Sequence, residues 1–364
     1  MNNWELIRKE YPLVENFTYL NTPVLGAISK KTSEKAQKLV EELLHFGPYN
    51  YQYWIQAVHD VRNDAASLIN ASSNEIAFLS DVATGMNFIS QMLPENNAEI
   101  ILYEKDFPSV VLPWMNQNRK INLIPSECKG NITTELLEEI RTPESKILAL
   151  SYVQYNKGFK IDIGKIGNWC KENDIIFIVD ATQAIGAFEI DVEVHKIDFL
   201  VASLYKWTLG GYGTAILYIN SEVFENNLPA VGWHSLVQND GTNSLKNLKK
   251  TVSALEIGHP KIQNILMAGN AIKEILDINV VNIEQRIVKL TKQLHAQLKE
   301  KNVKILSDYN NKNLSGITII EGTADTVEHL EQKNILCSLR GEGVRLGLHF
   351  YNNEQDINHL ISVL

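Results

Sequence analysis

The chain has 364 residues, 45% of them apolar, and 34 basic against 43 acidic side chains leave a formal charge of −9. That length suits one large domain plus a smaller one, and a pI near 5.6 with no Lys/Arg stripe excludes nucleic acid as an expected partner. The start, MNNWELIRKEYPLV, lacks the apolar core of a signal peptide, no apolar run reaches the ~18 residues of a membrane span, and Cys128, Cys170 and Cys337 are too scattered for a disulfide framework or thiolate metal site.

The expectation is therefore a cytoplasmic globular protein with no membrane contact. Its first ~70 residues read as helical, broken at LNTPVLG (Leu20–Gly26), where Pro and Gly impose a loop. Short apolar runs follow: EIAFLS (75–80), AEIILY (98–103), KINLI (120–124), KILALSYV (146–153), DIIFIVD (174–180), DFLVAS (198–203) and TAILYI (214–219). Helix-length amphipathic segments such as IGKIGNWCKEN (163–173) separate several of them. Continuous apolar strands alternating with helices predict an α/β domain, a mostly parallel sheet sandwiched by helices. Beyond residue 250 two long amphipathic helices, NILMAGNAIKEILDI and IEQRIVKLTKQLHAQLKE, precede strand candidates VKILS, SGITII, ILCSLR and GVRLGLHF and a last helix, EQDINHLISVL. The reading is a large domain over 15–250 and a smaller C-terminal α+β domain over 251–364, with residues 1–14 packed on it.

In doubly wound sheets ligands bind beyond the carboxyl ends of the strands. Following the apolar runs in that way places Thr84, Phe107, Gln154, Tyr155, Asp180, Gln183 and Lys206 along one crevice. Lys206 sits between Tyr205 and Trp207, an odd place for an amine unless it is used. A partly desolvated lysine, an acid and aromatic rings suit pyridoxal 5'-phosphate: the amine bonds the aldehyde, a carboxylate keeps the pyridine nitrogen protonated, and a ring such as Phe107 stacks on the cofactor. The helix start VATGMNFI, with Ala83 and Thr84 in its first turn, offers N–H and hydroxyl groups to a phosphate, and Ser203 adds a donor.

The stretch VDATQAIGAFEIDVEVHKIDFLVASLYKWTLGGYGTAILYI resembles the core of class V aminotransferases, within the fold-type I pyridoxal-phosphate enzymes. The order Asp-x-x-Gln, Ser-x-x-Lys-Trp, then a glycine-rich turn carries the resemblance. YLNTPVLG, ALEIGHP (254–260) and GVRLGLHFYNNEQDI (343–357) extend it over nearly the whole chain. In texture it is closest to members resembling isopenicillin-N epimerase, with cysteine desulfurases, selenocysteine lyases and kynureninases as cousins. The resemblance implies that Lys206 is the Schiff-base lysine, Asp180 the pyridinium partner and Gln183 the partner of the ring hydroxyl. Thr84 and Ser203 fall at phosphate contacts, and Arg345 at the arginine that grips the substrate α-carboxylate. His259, with Gly258, falls where a neighbouring subunit supplies a phosphate contact, which implies a homodimer with active sites at the interface.

Phe107 stands where desulfurases stack a histidine, Tyr205 where they have histidine before the lysine, and Tyr155 where they often carry asparagine near the ring hydroxyl. Cys337, inside a strand-like run eight residues before Arg345, is not the mobile-loop nucleophile of persulfide chemistry. The expected reaction on an α-amino acid is therefore transamination or epimerisation, with a lyase of the desulfurase, selenocysteine lyase or kynureninase type as the alternative, and a non-catalytic binding protein as the reading from another class. Plainer roles compete throughout: Asp180 or Thr84 as a helix cap, Phe107 as core, Arg345 as a strand-surface residue, and Arg340 as either a structural ion pair or a substrate contact. Tyr51, Tyr53 and Trp54 read as helix-packing aromatics or as substrate-pocket lining, with packing preferred. No HExxH, GxSxG, P-loop or GxGxxG is present, so neither a metal nor a nucleotide loop is expected.

Overall fold

A computed structural model describes residues 2–93, 98–225, 227–237, 244–308 and 313–364. The seven apolar runs become the seven strands of one sheet: β1 (Ile76–Leu79), β2 (Glu99–Tyr103), β3 (Ile121–Ile124), β4 (Ser145–Ser151), β5 (Ile176–Asp180), β6 (Phe199–Ser203) and β7 (Ala215–Ile219). Their order is β1-β7-β6-β5-β4-β2-β3, and every pair is parallel except the two made by β7. Helices pack on both faces, which is why β1, β2, β6 and β7 are buried along their whole length and why their sequences show no polar alternation. Because β7 alone runs backwards, the carboxyl ends of β1, β2, β4, β5 and β6 all open on the same edge.

The first helical stretch resolves into two long helices, α1 (Lys30–Phe46) and α2 (Tyr51–Leu68). Both pack on α3 (Ile262–Ile278), which is followed by α4 (Val280–Glu300). Three more strands form a separate antiparallel sheet: β8 (Ile317–Glu321), β9 (Ser338–Arg340) and β10 (Gly343–Gly347), with β10 in the middle. Two expectations are corrected here. VKILS makes only an isolated bridge, Ile305 opposite Ile320, so it lies beside β8 without forming a regular strand. ILCSLR divides at Cys337: Ile335–Leu336 pairs in parallel with Thr18–Tyr19, and only Ser338–Arg340 joins the antiparallel sheet. One apolar run thus serves two ladders.

Long-range polar contacts join these parts. Arg8, in the short helix Trp4–Arg8, donates to Asp356 at 2.7 and 3.1 Å, tying the N-terminal segment to the last helix, Glu354–Val363. Arg62 of α2 and Glu256 form a buried two-pronged pair, 2.5 and 3.0 Å, and Glu256 also accepts from Phe78 N of β1 at 2.7 Å. Among the described residues no helix is long and apolar enough to cross a membrane.

Removing one member of a buried, hydrogen-bonded ion pair strands the other charge in a poor dielectric. Glu256→Ala is therefore expected to cost about 3–5 kcal/mol of unfolding free energy, measured by urea denaturation; a loss below about 1 kcal/mol, the scale of an exposed pair, would contradict this account.

Candidate active site

The strand ends converge as the topology requires. A cleft of about 360 Å³ is lined by Val82, Phe107, Ser151, Val153, Tyr155, Asp180, Thr182, Gln183, Ser203, Tyr205 and Lys206. Seven residues singled out from the sequence therefore meet: Phe107, Tyr155, Asp180, Gln183, Ser203, Tyr205 and Lys206.

Lys206 is only 9% exposed, with its Nζ 5.7 Å from the Phe107 ring centre and 5.6 Å from that of Tyr205. Burial lowers its pKa to about 8; the Asp180 charge opposes that shift, while Arg345 and Arg340 add to it. Asp180, at the end of β5, is 4% exposed and accepts from Thr182 N at 2.8 Å. Burial pushes its carboxyl above the ordinary range, against the pull of the Thr182 hydrogen bonds and of Lys206.

The peptide that carries Lys206 is clamped from three sides. Gly26 donates its N–H to Tyr205 O at 2.8 Å, and a Cβ at position 26 would lie 2.0 Å from Lys206 O, so the loop predicted at Leu20–Gly26 can approach only as glycine. Trp207 Nε1 donates to Gln183 Oε1 at 2.6 Å, and Gln183 Nε2 donates to Pro23 O at 3.1 Å. His349 Nδ1 accepts from Phe350 N at 2.7 Å, which leaves Nε2 as the protonated nitrogen that donates to Trp207 O at 2.8 Å. Complete burial of His349 drives its pKa down to about 3, so the ring stays neutral and keeps that tautomer.

Arg345 of β10 is 1% exposed. Its Nη1 donates to Tyr155 O at 3.1 Å, while Nε and Nη2 are buried without a partner. Phe107 and Tyr155 meet edge to face at 5.2 Å. Thr84 and His259 lie elsewhere: with Gly258 they line an adjoining groove of about 730 Å³. Thr84 donates its N–H (2.8 Å) and hydroxyl (3.0 Å) to Asp81, the N-cap of the helix Val82–Met92, and Ala83 is exposed in that first turn. The His259 ring is 5.6 Å from Tyr51 and 6.0 Å from Trp233.

One placement is corrected. Gln154 does not line the cleft; it is fully buried and both its side-chain polar atoms lack a partner. Beyond the end of β4 at Ser151 the chain turns so that Val153 and Tyr155 line the cleft with Ser151 and Gln154 does not. Sequence reasoning also missed Asp106. Its buried carboxylate accepts from Phe107 N (2.7 Å), Ser151 N (2.9 Å) and Ser151 Oγ (2.5 Å), and so fixes the turns after β2 and β4. Burial pushes Asp106 up to about 6, with the Ser151 and Phe107 hydrogen bonds opposing the shift and Asp180 reinforcing it. A polar residue directly before Phe107 at a strand end was the available signal. His349 gave none, because its bond to Trp207 O joins segments about 140 residues apart.

A family model described as aminotransferase class-V matches residues 18–360. The chain belongs to the class V aminotransferase family. It is accordingly an enzyme that works with pyridoxal 5'-phosphate. It is 25% identical over 362 residues to an uncharacterized aminotransferase of Bacillus subtilis, covering 98% of this chain and 96% of that one. It is also 25% identical over 388 residues to a probable cysteine desulfurase of Pyrococcus abyssi, covering 99% and 96%. Among solved structures, the apo cysteine desulfurase of Thermococcus onnurineus NA1 superposes with a TM-score of 0.89 at 22% identity, over 100% of this chain and 97% of that one. That likeness bears out the fold-type I architecture.

The residues present fit the cofactor: a dry amine, a buried carboxylate near it, an aromatic wall, and two unpartnered arginine nitrogens behind Tyr155. In the apoprotein the Lys206 amine should become reactive with a half-maximum near pH 8, against the ordinary lysine value of 10.5. Competitive amine labelling read by mass spectrometry measures this, and a midpoint at or above about 10, the unperturbed range, would refute the desolvation argument.

Proposed function

We propose that the enzyme acts at the α-carbon of an α-amino acid, by transamination or epimerisation, with pyridoxal phosphate joined to Lys206. With the cofactor bound, Asp180 would partner the pyridine nitrogen, Gln183 and Tyr155 the ring hydroxyl, and Phe107 and Tyr205 would wall the ring. Ala83, Thr84 and Ser203 serve the phosphate. The observation that carries this reading is the burial of Lys206 in the same cleft as the buried acid Asp180.

The chemistry the cofactor supplies is an electron sink for the pair left at Cα. The chain's own contribution is proton handling and orientation. With a pKa held near 8, Lys206 Nζ can both take a proton from Cα and return one at neutral pH. Asp180 places its carboxyl in a low-dielectric wall, where pairing of its charged form with a ring N–H⁺ would be strong. Thr182 N holds one of its oxygens in place. Arg345 presents two buried, unsatisfied N–H groups that match a carboxylate fork and orient the substrate. Phe107 and Tyr205 exclude water from Nζ.

A lyase reading is favoured by one set of findings, the desulfurase names among the relatives and a likeness to a cystine C–S lyase structure (TM-score 0.88, 20% identity). Against persulfide formation on the enzyme stands Cys337, 4% exposed, its thiol pushed up to about 12 by burial. A homodimer is supported by exposed aromatic side chains: Trp233, 6.0 Å from the His259 ring, is 46% exposed, and Tyr49 and Tyr53 are 87% and 65% exposed. In that assembly His259 would reach the phosphate of the second copy. Three free cysteines support a reducing, cytoplasmic setting.

Holoenzyme reduced with borohydride and digested should carry the fixed cofactor on the Lys206 peptide, and Lys206→Ala should carry none; a comparable adduct on another lysine of that variant would sink the assignment. Arg345→Gln should weaken α-amino-acid binding about 10–100-fold, as loss of a charged hydrogen-bond pair implies. Primary amines lacking the carboxylate should bind both proteins alike, as read by spectral titration; equal weakening for both ligand types would remove Arg345 from the carboxylate role.

A further inference from the structure

The β9–β10 pair of the small sheet, which holds Arg345, carries more positive charge than an α-carboxylate requires. In the β9–β10 hairpin Ser338 lies opposite Arg345, and Arg340 lies opposite Gly343. Residues directly opposite in an antiparallel pair project from the same face, and diagonal neighbours lie roughly 7–8 Å apart. Ser338, Arg340 and Arg345 therefore share one face, with the two guanidinium-bearing residues on the diagonal. That face meets the cleft, because Arg345 bonds the backbone of Tyr155, a lining residue.

The donors on this face have no matching acceptors. Arg345 Nε and Nη2 and Ser338 Oγ are buried without partners. Among the described residues no carboxylate lies within ion-pair distance of Arg340 or Arg345, so the structural ion pair considered for Arg340 is not made. The acids of the cleft are engaged elsewhere, Asp106 with Ser151 and Phe107, Asp180 with Thr182. Arg340 itself is exposed. Its charge is felt by both Lys206 and Arg345, which adds proximity to the register argument.

One carboxylate with two oxygens satisfies the free fork of Arg345 and leaves Arg340 over. We infer that Arg340 is a specificity-determining residue, and that the substrate is an α-amino acid whose side chain carries a second anionic group, a carboxylate in its simplest form. This rests on the α-amino-acid reading above and narrows it. Neutralising two like charges that the fold leaves side by side rewards a dianionic ligand over its uncharged isostere.

The test uses pyridoxal-phosphate-loaded full-length protein and spectral titration at low ionic strength, with L-aspartate against L-asparagine and L-glutamate against L-glutamine. At least one acid should bind about tenfold more tightly than its amide. The ratio should shrink as salt rises, since an exposed charge is screened. In Arg340→Gln it should fall to about one, while Arg340→Lys, which keeps the charge, retains part of it. Melting curves check that both variants fold, as expected for an exposed side chain. A wild-type enzyme that binds acid and amide equally, or an Arg340→Gln protein that keeps the preference, overturns the inference. The broader reading fails differently: a protein that takes up no cofactor, or a coloured one whose spectrum answers to no amino acid at all.

Discussion

The structure depends on keeping one amine dry beside one acid. An isolated lysine is seldom buried because removing an ammonium from water costs several kcal/mol. Here the burial is tolerated because the charge can be shed: the Lys206 pKa falls to about 8, and Asp180 in the same wall offsets part of the penalty. The same compromise makes the group useful, since a base poised near neutral pH moves protons in both directions. Asp180 shows the complementary strain, a carboxyl driven upward by burial and held back by Thr182.

Such a site needs a rigid surround, because water admitted to the cleft would restore the ordinary pKa values. The surround is built from segments distant in sequence. The loop at Gly26 closes on Lys206 O, Gln183 joins Pro23 to Trp207, and neutral His349 reaches Trp207 O from beyond β10. Arg345 and His349 lie on one continuous segment, so the strand that offers donors to a carboxylate also holds the lysine's peptide. In the function proposed, substrate orientation and base position would be linked through that segment.

Much of this was legible before folding. Six of the seven sheet strands lie within the apolar runs and β4 starts one residue before its run, since a strand buried on both faces must be largely apolar. The residues after those runs were the right place to look, since a parallel sheet brings its carboxyl ends to one edge. Legibility ended where geometry finer than order mattered. Gln154 and Tyr155 are adjacent in the turn after β4, yet only the second lines the cleft. Cys337 interrupts a run that looked like one strand, because its two halves find different partners.

By itself the sequence determined the element order, the mostly parallel sheet and the set of polar groups at its edge, because burial and periodicity are local demands written residue by residue. Only the tertiary structure decided which of those groups share a wall: Lys206 with Asp180 and Phe107, and Arg345 with the backbone of Tyr155, while Thr84 and His259 turn to a neighbouring groove. The physical reason is that hydrogen bonds and charge interactions act over a few ångströms in space, whatever the separation along the chain.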